Sequence, residues 1–247
     1  MVSIKIEEVG DYVKKNIGGF HKDRLENLRN LKLNKILARK NPYLFKAKDI
    51  LIAQDLVRIL LDAHLSSQEE TIFGNFLEGL AIFINEKAYN GWKSSTQGID
   101  LEFNKDNIRY IVAIKSGPNW GNSSQVRKMR DDFRKAKQTI RTSNSNLYVI
   151  AVNGCCYGRN SKPDKGDYHK YCGQNFWYFI SGNSDLFLKI IKPLGYSARA
   201  KNDEFKEKYA EIVNKFTLEF SDKFVIDGKI NWVALVQFNS AEIKPKL

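Results

Sequence analysis

A period of two in the apolar and polar positions marks the middle of the chain. Residues 99–103 alternate apolar with acidic side chains, residues 104–107 have turn-forming chemistry, and residues 108–115 are rich in β-branched side chains. Alternation on either side of a turn is typical of a two-stranded hairpin. We therefore predict that Asp100 and Lys115 lie on neighbouring strands, with the lysine at the end of its strand.

A helix and a further strand follow this hairpin. Residues 122–140 carry apolar side chains at spacings of three and four on one face and many basic side chains elsewhere. Residues 147–152 form a continuous apolar run, which indicates a buried strand. A strand, a crossover helix and a second strand predict two parallel neighbours in one sheet. Together with the hairpin, they predict an α/β fold in which helices flank a mixed central β-sheet.

Helical patterns predict additions at both ends of this core. Residues 47–64 have the period of an amphipathic helix. Ser67 and Glu70 have the spacing of a capping box, so we predict that a new helix begins there and runs to about Ala88. Three further ranges are helix-prone, namely residues 3–40, 203–220 and 230–238.

The composition and the charge narrow the class of protein. The chain has 247 residues, of which 43% are hydrophobic, so it has enough apolar side chains for a folded core. Its net charge of +12 favours an anionic polymer or a membrane surface as the partner. Residues 51–100 are net acidic between basic flanks, which suits metal-binding carboxylates that face a phosphate-binding surface.

The cysteines and the apolar runs bear on location and on metals. Three cysteines give no even disulfide framework, and no secretory apolar segment follows the N-terminus, so we expect a cytoplasmic, reduced protein. No uncharged apolar run is long enough to span a bilayer, so we expect no membrane partner. Cys155, Cys156, His169 and Cys172 contain the atoms for a zinc site but lack paired Cys-x-x-Cys spacing, which leaves zinc binding open.

Two sets of charged side chains are candidates for chemistry. A lysine that ends a buried strand beside an aspartate is costly unless it is paired or used. Asp100 and Lys115 are therefore either an ion pair at a sheet edge or part of a site. Glu78 lies in the apolar second half of the helix that precedes the hairpin. A carboxylate there requires a cation, a metal or several hydrogen bonds, so a structural salt bridge and a metal site are both open.

These residues carry a resemblance to a known group of nucleases. An aspartate on one strand, x-x-Lys at the end of the next, a basic helix and a parallel strand resemble the PD-(D/E)XK nuclease superfamily. Four stretches make the chain similar to type II restriction endonucleases, in particular to a subgroup associated with GGNCC-centred sites. They are Lys40-Asn41-Pro42-Tyr43-Leu44-Phe45, Ser67 to Thr71 with Phe73-Gly74, Ile114 to Asn122, and Phe176-Trp177 with Ile180-Ser181-Gly182.

The resemblance implies a function and an arrangement of the chain. It implies a homodimer that uses Mg²⁺ to cleave both strands of double-stranded DNA at a short, near-palindromic sequence. It also implies a single nuclease domain over residues 1–247. Within that domain we expect a helical N-terminal region at 1–66, a catalytic core at 67–153 and a DNA-recognition or dimerisation region at 154–247.

The expected active site departs from the superfamily pattern at one position. The resemblance assigns Asp100 as the bridging metal ligand, Lys115 to the water and the phosphate, and the carbonyl of Ile114 as a further ligand. Where the superfamily has an acidic residue, this chain has Ala113, which cannot bind a metal. Either Glu78 supplies the missing carboxylate, or Ala113 is an engineered substitution that traps an uncut complex, or the protein is naturally inactive.

Contacts to DNA are predicted in two loops. Their candidate residues are Asn119, Trp120 and Asn122 beside the site, and Arg159, Lys162, Lys165 and Lys170 in a later glycine-rich stretch. Two other functions stay open at this point, a DNA-binding protein without catalysis, which Ala113 favours, and a structure-specific DNA resolvase. Discrete plasmid fragments would indicate a restriction enzyme, a preference for junctions a resolvase, and a mobility shift alone a binding protein.

Overall fold

The structure is a computed structural model of the chain and describes residues 4–143, 147–196 and 198–242. The helices in those ranges are α1 (Ile6–Arg29), α2 (Leu33–Leu37), α3 (Pro42–Ala47), α4 (Ala53–Tyr89), α5 (Ser123–Ser143), α6 (Gln174–Ser181), α7 (Leu186–Lys189), α8 (Ile191–Leu194), α9 (Ala198–Phe224) and α10 (Trp232–Ser240). The strands are β1 (Trp92–Lys93), β2 (Leu101–Lys105), β3 (Ile108–Lys115), β4 (Tyr148–Cys155), β5 (His169–Cys172), β6 (Val225–Ile226) and β7 (Lys229–Ile230).

The chain folds as two compact units. Unit 1 comprises Met1–Phe20 and Thr71–Tyr196, and unit 2 comprises His21–Glu70 and Ser197–Leu247. Two of the boundaries between the units fall inside the long helices α1 and α4. The single nuclease domain with regions ending at residues 66 and 153 stays a prediction.

A five-stranded sheet in the order β1-β2-β3-β4-β5 forms the centre of unit 1. The first two strand pairs are antiparallel and the last two are parallel. The predicted hairpin is therefore confirmed as β2 and β3, and the predicted parallel pair is confirmed as β3 and β4 on either side of α5. The fold is the expected α/β arrangement, a mixed central sheet flanked by helices.

Apolar side chains cover both faces of this sheet and decide which residues of β3 face which helix. Val112 and Ile114 lie in a buried cluster with side chains of α1, α4 and α6. Ile111 and Ala113 lie in a second cluster with side chains of α5. Because side chains alternate along a strand, Lys115 lies on the α5 side of the sheet, at the end of β3.

A continuous helix, α4, occupies the region where two helices are predicted. It runs from Ala53 to Tyr89, so the interpretation of Ser67 and Glu70 as a capping box is wrong. Burial of apolar side chains on both sides of this position outweighs the local preference of serine for a helix start. The buried side chains are Leu56, Val57, Leu60, Leu61 and Leu65 before the boundary at Glu70 and Leu77, Leu80, Ala81 and Ile84 after it.

Unit 2 is mainly helical and is organised on α9. This helix contributes six residues to a buried cluster that also contains side chains of α2, α10 and the first part of α4. The predicted C-terminal helices at residues 203–220 and 230–238 correspond to α9 and α10, so helical additions at both ends of the chain are confirmed. Among the described residues, no helix combines the length and the apolar character needed to cross a membrane.

Candidate active site

Asp100 is held at the start of the hairpin by contacts to β3. Its backbone N–H donates to the carbonyl of Val112 at 2.9 Å, and its Oδ2 accepts from the backbone N–H of Ile114 at 2.6 Å. The Nζ atom of Lys115 lies 4.0 Å from the same Oδ2. The structure therefore brings the predicted aspartate and lysine together, with Asp100 just before β2 and Lys115 at the end of the neighbouring strand β3.

Gly98 fixes the path of the chain into Asp100. Its φ of +77° lies in the left-handed region, which favours glycine. A Cβ atom at this position would lie 2.5 Å from Oδ2 of Asp132 on α5, closer than real contacts allow. A side chain at position 98 would therefore displace the residues just before β2, and Asp100 with them.

Glu78 reaches the same site from α4. One turn earlier on this helix, a Cβ atom added to Gly74 would lie 3.5 Å from the Cβ of Ser116, which directly follows β3. A Cβ at that distance would make an ordinary van der Waals contact, so α4 passes directly beside the end of β3. Glu78 is only partly exposed, and its side chain lies within electrostatic range of Asp100.

Nearby positive charges and hydrogen bonds only partly offset the burial of the Glu78 and Asp100 carboxylates. Burial raises the pKa of Glu78, and the negative charge of Asp100 raises it further, against the opposite effects of Lys93 and Lys115. Burial also raises the pKa of Asp100 and outweighs the hydrogen bond from Ile114 and the two lysines. A pair of carboxylates in this state favours the binding of a cation.

Lys93 is a member of the cluster that sequence reasoning missed. Its Nζ lies 3.8 Å from Oε1 of Glu78, and its side chain is 72% exposed. Since β2 lies between β1 and β3, Lys93 and Lys115 come from the two strands that flank the residues following Asp100. The two-residue strand β1 has no periodicity, so the sequence contains no signal that would identify this lysine.

Ala113, where the superfamily pattern has a carboxylate, lies in β3 between Val112 and Ile114, the two residues that hydrogen-bond to Asp100. Ala113 is 1% exposed and packs in the apolar cluster against α5. Its carbonyl accepts from Nδ2 of Asn153 at 3.2 Å, and Oδ1 of Asn153 accepts from Nε1 of Trp120 at 3.1 Å. A carboxylate at position 113 would therefore be buried among apolar side chains.

Other carboxylates close to the hairpin have structural partners. Glu102 is buried and accepts from Oγ of Ser94 at 2.7 Å and from Nη1 of Arg109 at 3.1 Å. The two aspartates of α5 pair with bases of their own helix, as their spacing predicts, with Asp131–Arg134 at 3.0 Å and Lys128–Asp132 at 3.1 Å. Within the described ranges, these contacts make Glu78 the best-placed substitute for the missing carboxylate.

The donor set suits a hard divalent cation completed by backbone and solvent oxygens. The carboxylates of Asp100 and Glu78 are oxygen donors of the kind that Mg²⁺ prefers, and this ion usually keeps several waters. In residues 4–143, 147–196 and 198–242, no group of three or more His, Cys, Asp or Glu side chains is placed to hold a metal. A third protein ligand would then be a backbone oxygen, for which the carbonyl of Ile114 is the candidate.

The cysteines lie in the core of unit 1. Cys155, Cys156 and Cys172 are free thiols and are buried. Burial raises the pKa of Cys155 to about 12 and also raises that of Cys156. The part of the chain that the structure describes contains no zinc-like grouping of these thiols with His169.

Comparison with protein families decides the class of this protein. A model of the family described as type II restriction endonuclease EcoO109I matches residues 7–202. The chain belongs to this family. The match includes the whole cluster of Glu78, Lys93, Asp100 and Lys115, and the predicted membership of the type II restriction endonucleases is confirmed. A comparison with curated protein sequences gave no match.

Membership of the restriction endonucleases makes DNA the class of ligand for this protein, and the loops around the site carry the residues predicted to contact it. In the loop after β3, Trp120 is half-buried and its Nε1 donates to Oδ1 of Asn153. Its ring centroid lies 5.4 Å from Nζ of Lys115. Asn122 caps α5, because its Oδ1 accepts from the backbone N–H of Gln125 at 3.1 Å. Trp120 and Asn122 therefore have structural contacts, and both Asn119 and Asn122 are exposed.

A second loop of the restriction endonuclease begins where β4 ends beside Lys115. We call residues 156–168 the β4–β5 loop. The predicted DNA-contacting residues Arg159, Lys162 and Lys165 are exposed on it. A cleft of about 690 Å³ lies beneath, between this loop and the start of α6. Lys170, on β5, instead donates to the carbonyl of Pro118 at 2.7 Å and so supports the loop that carries Asn119.

Proposed function

We propose that this restriction endonuclease hydrolyses phosphodiester bonds of double-stranded DNA in an Mg²⁺-dependent reaction at a PD-(D/E)XK-type centre. The observation that carries the proposal is the cluster of Asp100, Glu78 and Lys115 at the end of β3. It combines two carboxylates of raised pKa with a lysine, which are the groups that phosphodiester hydrolysis requires. The cluster also lies at the carboxyl end of a parallel strand pair, where α/β folds bind their ligands.

Each residue has a role that follows from its chemistry. Asp100 and Glu78 would hold the cation, which when bound would acidify a water and neutralise charge on the phosphate. The compact ammonium group of Lys115 orients the attacking water and stabilises the pentavalent phosphorane. The backbone N–H of Ile114 keeps the Asp100 carboxylate in one orientation, and its carbonyl is the candidate for a further ligand.

We propose that Glu78 replaces the carboxylate that the superfamily places at position 113. Two observations support this proposal. The charge of Asp100 acts directly on Glu78, and Ala113 is buried among apolar side chains against α5. A carboxylate supplied from α4 approaches the site from outside the sheet and avoids that packing. Two alternatives are that Ala113 is an engineered substitution or that the protein is naturally inactive. Plasmid digestion distinguishes them from the proposal.

The recognition sequence and the assembly are also parts of the proposal. A homodimer on a near-palindromic, GGNCC-centred site would place one active site on each strand, as two-fold symmetry requires. The net charge of +12 supports contact with the phosphate backbone. The exposed Asn119, Arg159, Lys162 and Lys165 are the candidates for DNA contact, and Arg159 also lines the cleft of about 690 Å³.

Plasmid digestion tests the nuclease assignment and the role of Glu78. Mixed-sequence plasmid DNA is incubated with Mg²⁺ and the protein, or with the Glu78→Gln or Ala113→Glu variant. Discrete fragments from the parent protein and none from Glu78→Gln support the proposal. Cleavage by Ala113→Glu alone would show that the carboxylate belongs at position 113. Absence of cleavage by all three proteins with several divalent metals would refute the catalytic assignment.

The second candidate function is DNA binding without catalysis, and the observation that favours it is Ala113. Such a protein would shift DNA mobility with a steep dependence on salt and would show no metal-dependent turnover. A structure-specific resolvase is a further outcome of the same experiment, since it would prefer branched DNA to any linear sequence. Discrete plasmid fragments exclude both.

A further inference from the structure

Asp167 lies at the end of the β4–β5 loop and connects it to α5. We propose that Asp167 is a positioning residue, which sets where this loop meets DNA relative to the catalytic cluster. The inference rests on the proposed site-specific function, because it assigns that function a residue that touches neither the scissile phosphate nor a base.

Asp167 is bound to α5 by two groups. Its Oδ2 accepts from Nε of Arg130 at 2.7 Å, and its backbone carbonyl accepts from Nζ of Lys137 at 2.9 Å. The next residue, Tyr168, packs its ring 5.9 Å from that of Phe133, which is buried under the same helix. The end of the loop is therefore attached to α5 by a side chain, a backbone group and an aromatic contact.

The beginning of the loop is attached to the loop that follows β3. Tyr157 covers Gly117 so closely that a Cβ on the glycine would lie 2.3 Å from the tyrosine ring. Gly158, with φ of +90°, lies against Pro118 in the same way. The backbone N–H groups of Cys156 and Tyr157 donate to the carbonyls of Lys115 and Ser116 at 2.9 and 3.1 Å. The loop thus starts in contact with the catalytic strand end.

The interior of the loop is closed by its own hydrogen bonds. Nδ2 of Asn160 donates to the carbonyls of Lys162 and Lys170 at 3.0 and 2.9 Å. The backbone N–H of Lys165 donates to the carbonyl of Tyr168 at 3.0 Å. With both ends attached and the middle cross-linked, the loop presents its exposed basic side chains on a preorganised backbone, which reduces the entropic cost of binding.

The sign of the charge makes the proposal testable. Asp167 is an acidic residue on a chain of net charge +12, so electrostatics alone predict that its removal strengthens binding to any DNA. A positioning role predicts that its removal weakens binding to the cognate sequence only. The Arg130–Asp167 pair is about half exposed, and exposed ion pairs add little to global stability, so Asp167→Asn should fold normally.

Duplexes of the preferred sequence are first selected from a random pool by the parent protein in EDTA. Dissociation constants are then measured for the selected duplex and for a scrambled one. Asp167→Asn is expected to bind the selected duplex about tenfold more weakly, the effect of a misplaced charge-assisted contact. It should bind the scrambled duplex as well as the parent or better, and Asp167→Glu should recover part of the loss.

Asp131→Asn is the matched control. It raises the charge by one and frees Arg134 on the same helix, without touching the loop. It should keep the parent ratio of selected to scrambled affinity. Arg130→Gln removes the contact with Asp167 from the α5 side and should lower that ratio. This variant tests the positioning role if Asp167→Asn does not fold.

The outcomes separate this inference from the proposed function. A parent-like ratio in Asp167→Asn, or in Arg130→Gln where the aspartate variant does not fold, would overturn the positioning role alone. Failure of the parent protein to enrich any sequence would overturn site-specific recognition, and the positioning role with it. A reduced ratio of selected to scrambled affinity in folded Asp167→Asn or Arg130→Gln, restored in part by Asp167→Glu, supports the assignment.

Discussion

Replacing Asp100 by asparagine should stabilise the metal-free protein and abolish its response to Mg²⁺. Asparagine retains an oxygen to accept from the N–H of Ile114 and removes a charge that is 23% exposed and close to Glu78. Burial raises the pKa of Asp100, so the charged form is less stable in the folded than in the unfolded chain. The resulting cost is fully present above the raised pKa and disappears as the pH falls below the unfolded value.

The expected magnitudes are measurable by thermal unfolding. In EDTA at neutral pH, we expect Asp100→Asn to gain about 1 kcal/mol, equivalent to a rise in Tm of about 2–4 °C. At an Mg²⁺ concentration of a hundred times Kd, the parent should gain about 2.7 kcal/mol, or roughly 5–10 °C. The variant should lack that gain. As the pH is lowered through the raised pKa, the difference between parent and variant in EDTA should shrink.

Glu102→Gln is the control, because Glu102 lies two residues away and is buried with partners. The amide offers one accepting oxygen where the carboxylate offers two, so loss of the ion pair with Arg109 should cost about 1–3 kcal/mol and leave the Mg²⁺ response intact. The reasoning is refuted if Asp100→Asn melts below the parent in EDTA, as Glu102→Gln should. It is equally refuted if Asp100→Asn gains as much from Mg²⁺ as the parent does.

Three further predictions concern other residues of unit 1. Ala113→Glu should lower the free energy of unfolding by about 2–4 kcal/mol in denaturant titrations and should not accelerate cleavage, because its carboxylate would be buried beside α5. Lys93→Gln should weaken DNA binding in EDTA uniformly across sequences and reduce the slope of log K against log salt by about 1, and an unchanged slope would exclude a phosphate contact. Cys155 should resist iodoacetamide in the native protein, since burial raises its pKa to about 12, and rapid labelling seen by mass spectrometry would contradict its placement.

The sheet was predictable because its signals are local. Alternation in β2 and β3, the apolar run of β4 and the amphipathic period of α5 each fix an element, and the parallel crossover follows from their order. The hairpin also brings Asp100, just before β2, close to Lys115 at the end of β3. The unit boundary in α4 had no such signal, because burial on both sides of Ser67 outweighs its preference to start a helix.

Long-range contacts explain why only part of the site was predictable. Glu78 was identifiable as a carboxylate in an apolar helix, yet its proximity to Asp100 depends on how α4 packs beside the end of β3, which no local pattern encodes. Lys93 lies on a strand too short to have a period. The attachment of Asp167 to Arg130 joins residues that are far apart in sequence, and each looks like an ordinary surface charge when considered alone.

The fit of Tyr157 over Gly117 has a consequence for how such a chain changes over evolutionary time. A larger residue at position 117 meets the far end of the half-exposed Tyr157 ring, so it is accommodated only where that ring shifts or position 157 changes as well. Pro118 constrains Gly158 in the same manner. The exposed residues between Arg159 and Lys165 escape this coupling. Descendants of this sequence can therefore diversify the tip of the loop while they inherit its junction with the catalytic strand unchanged.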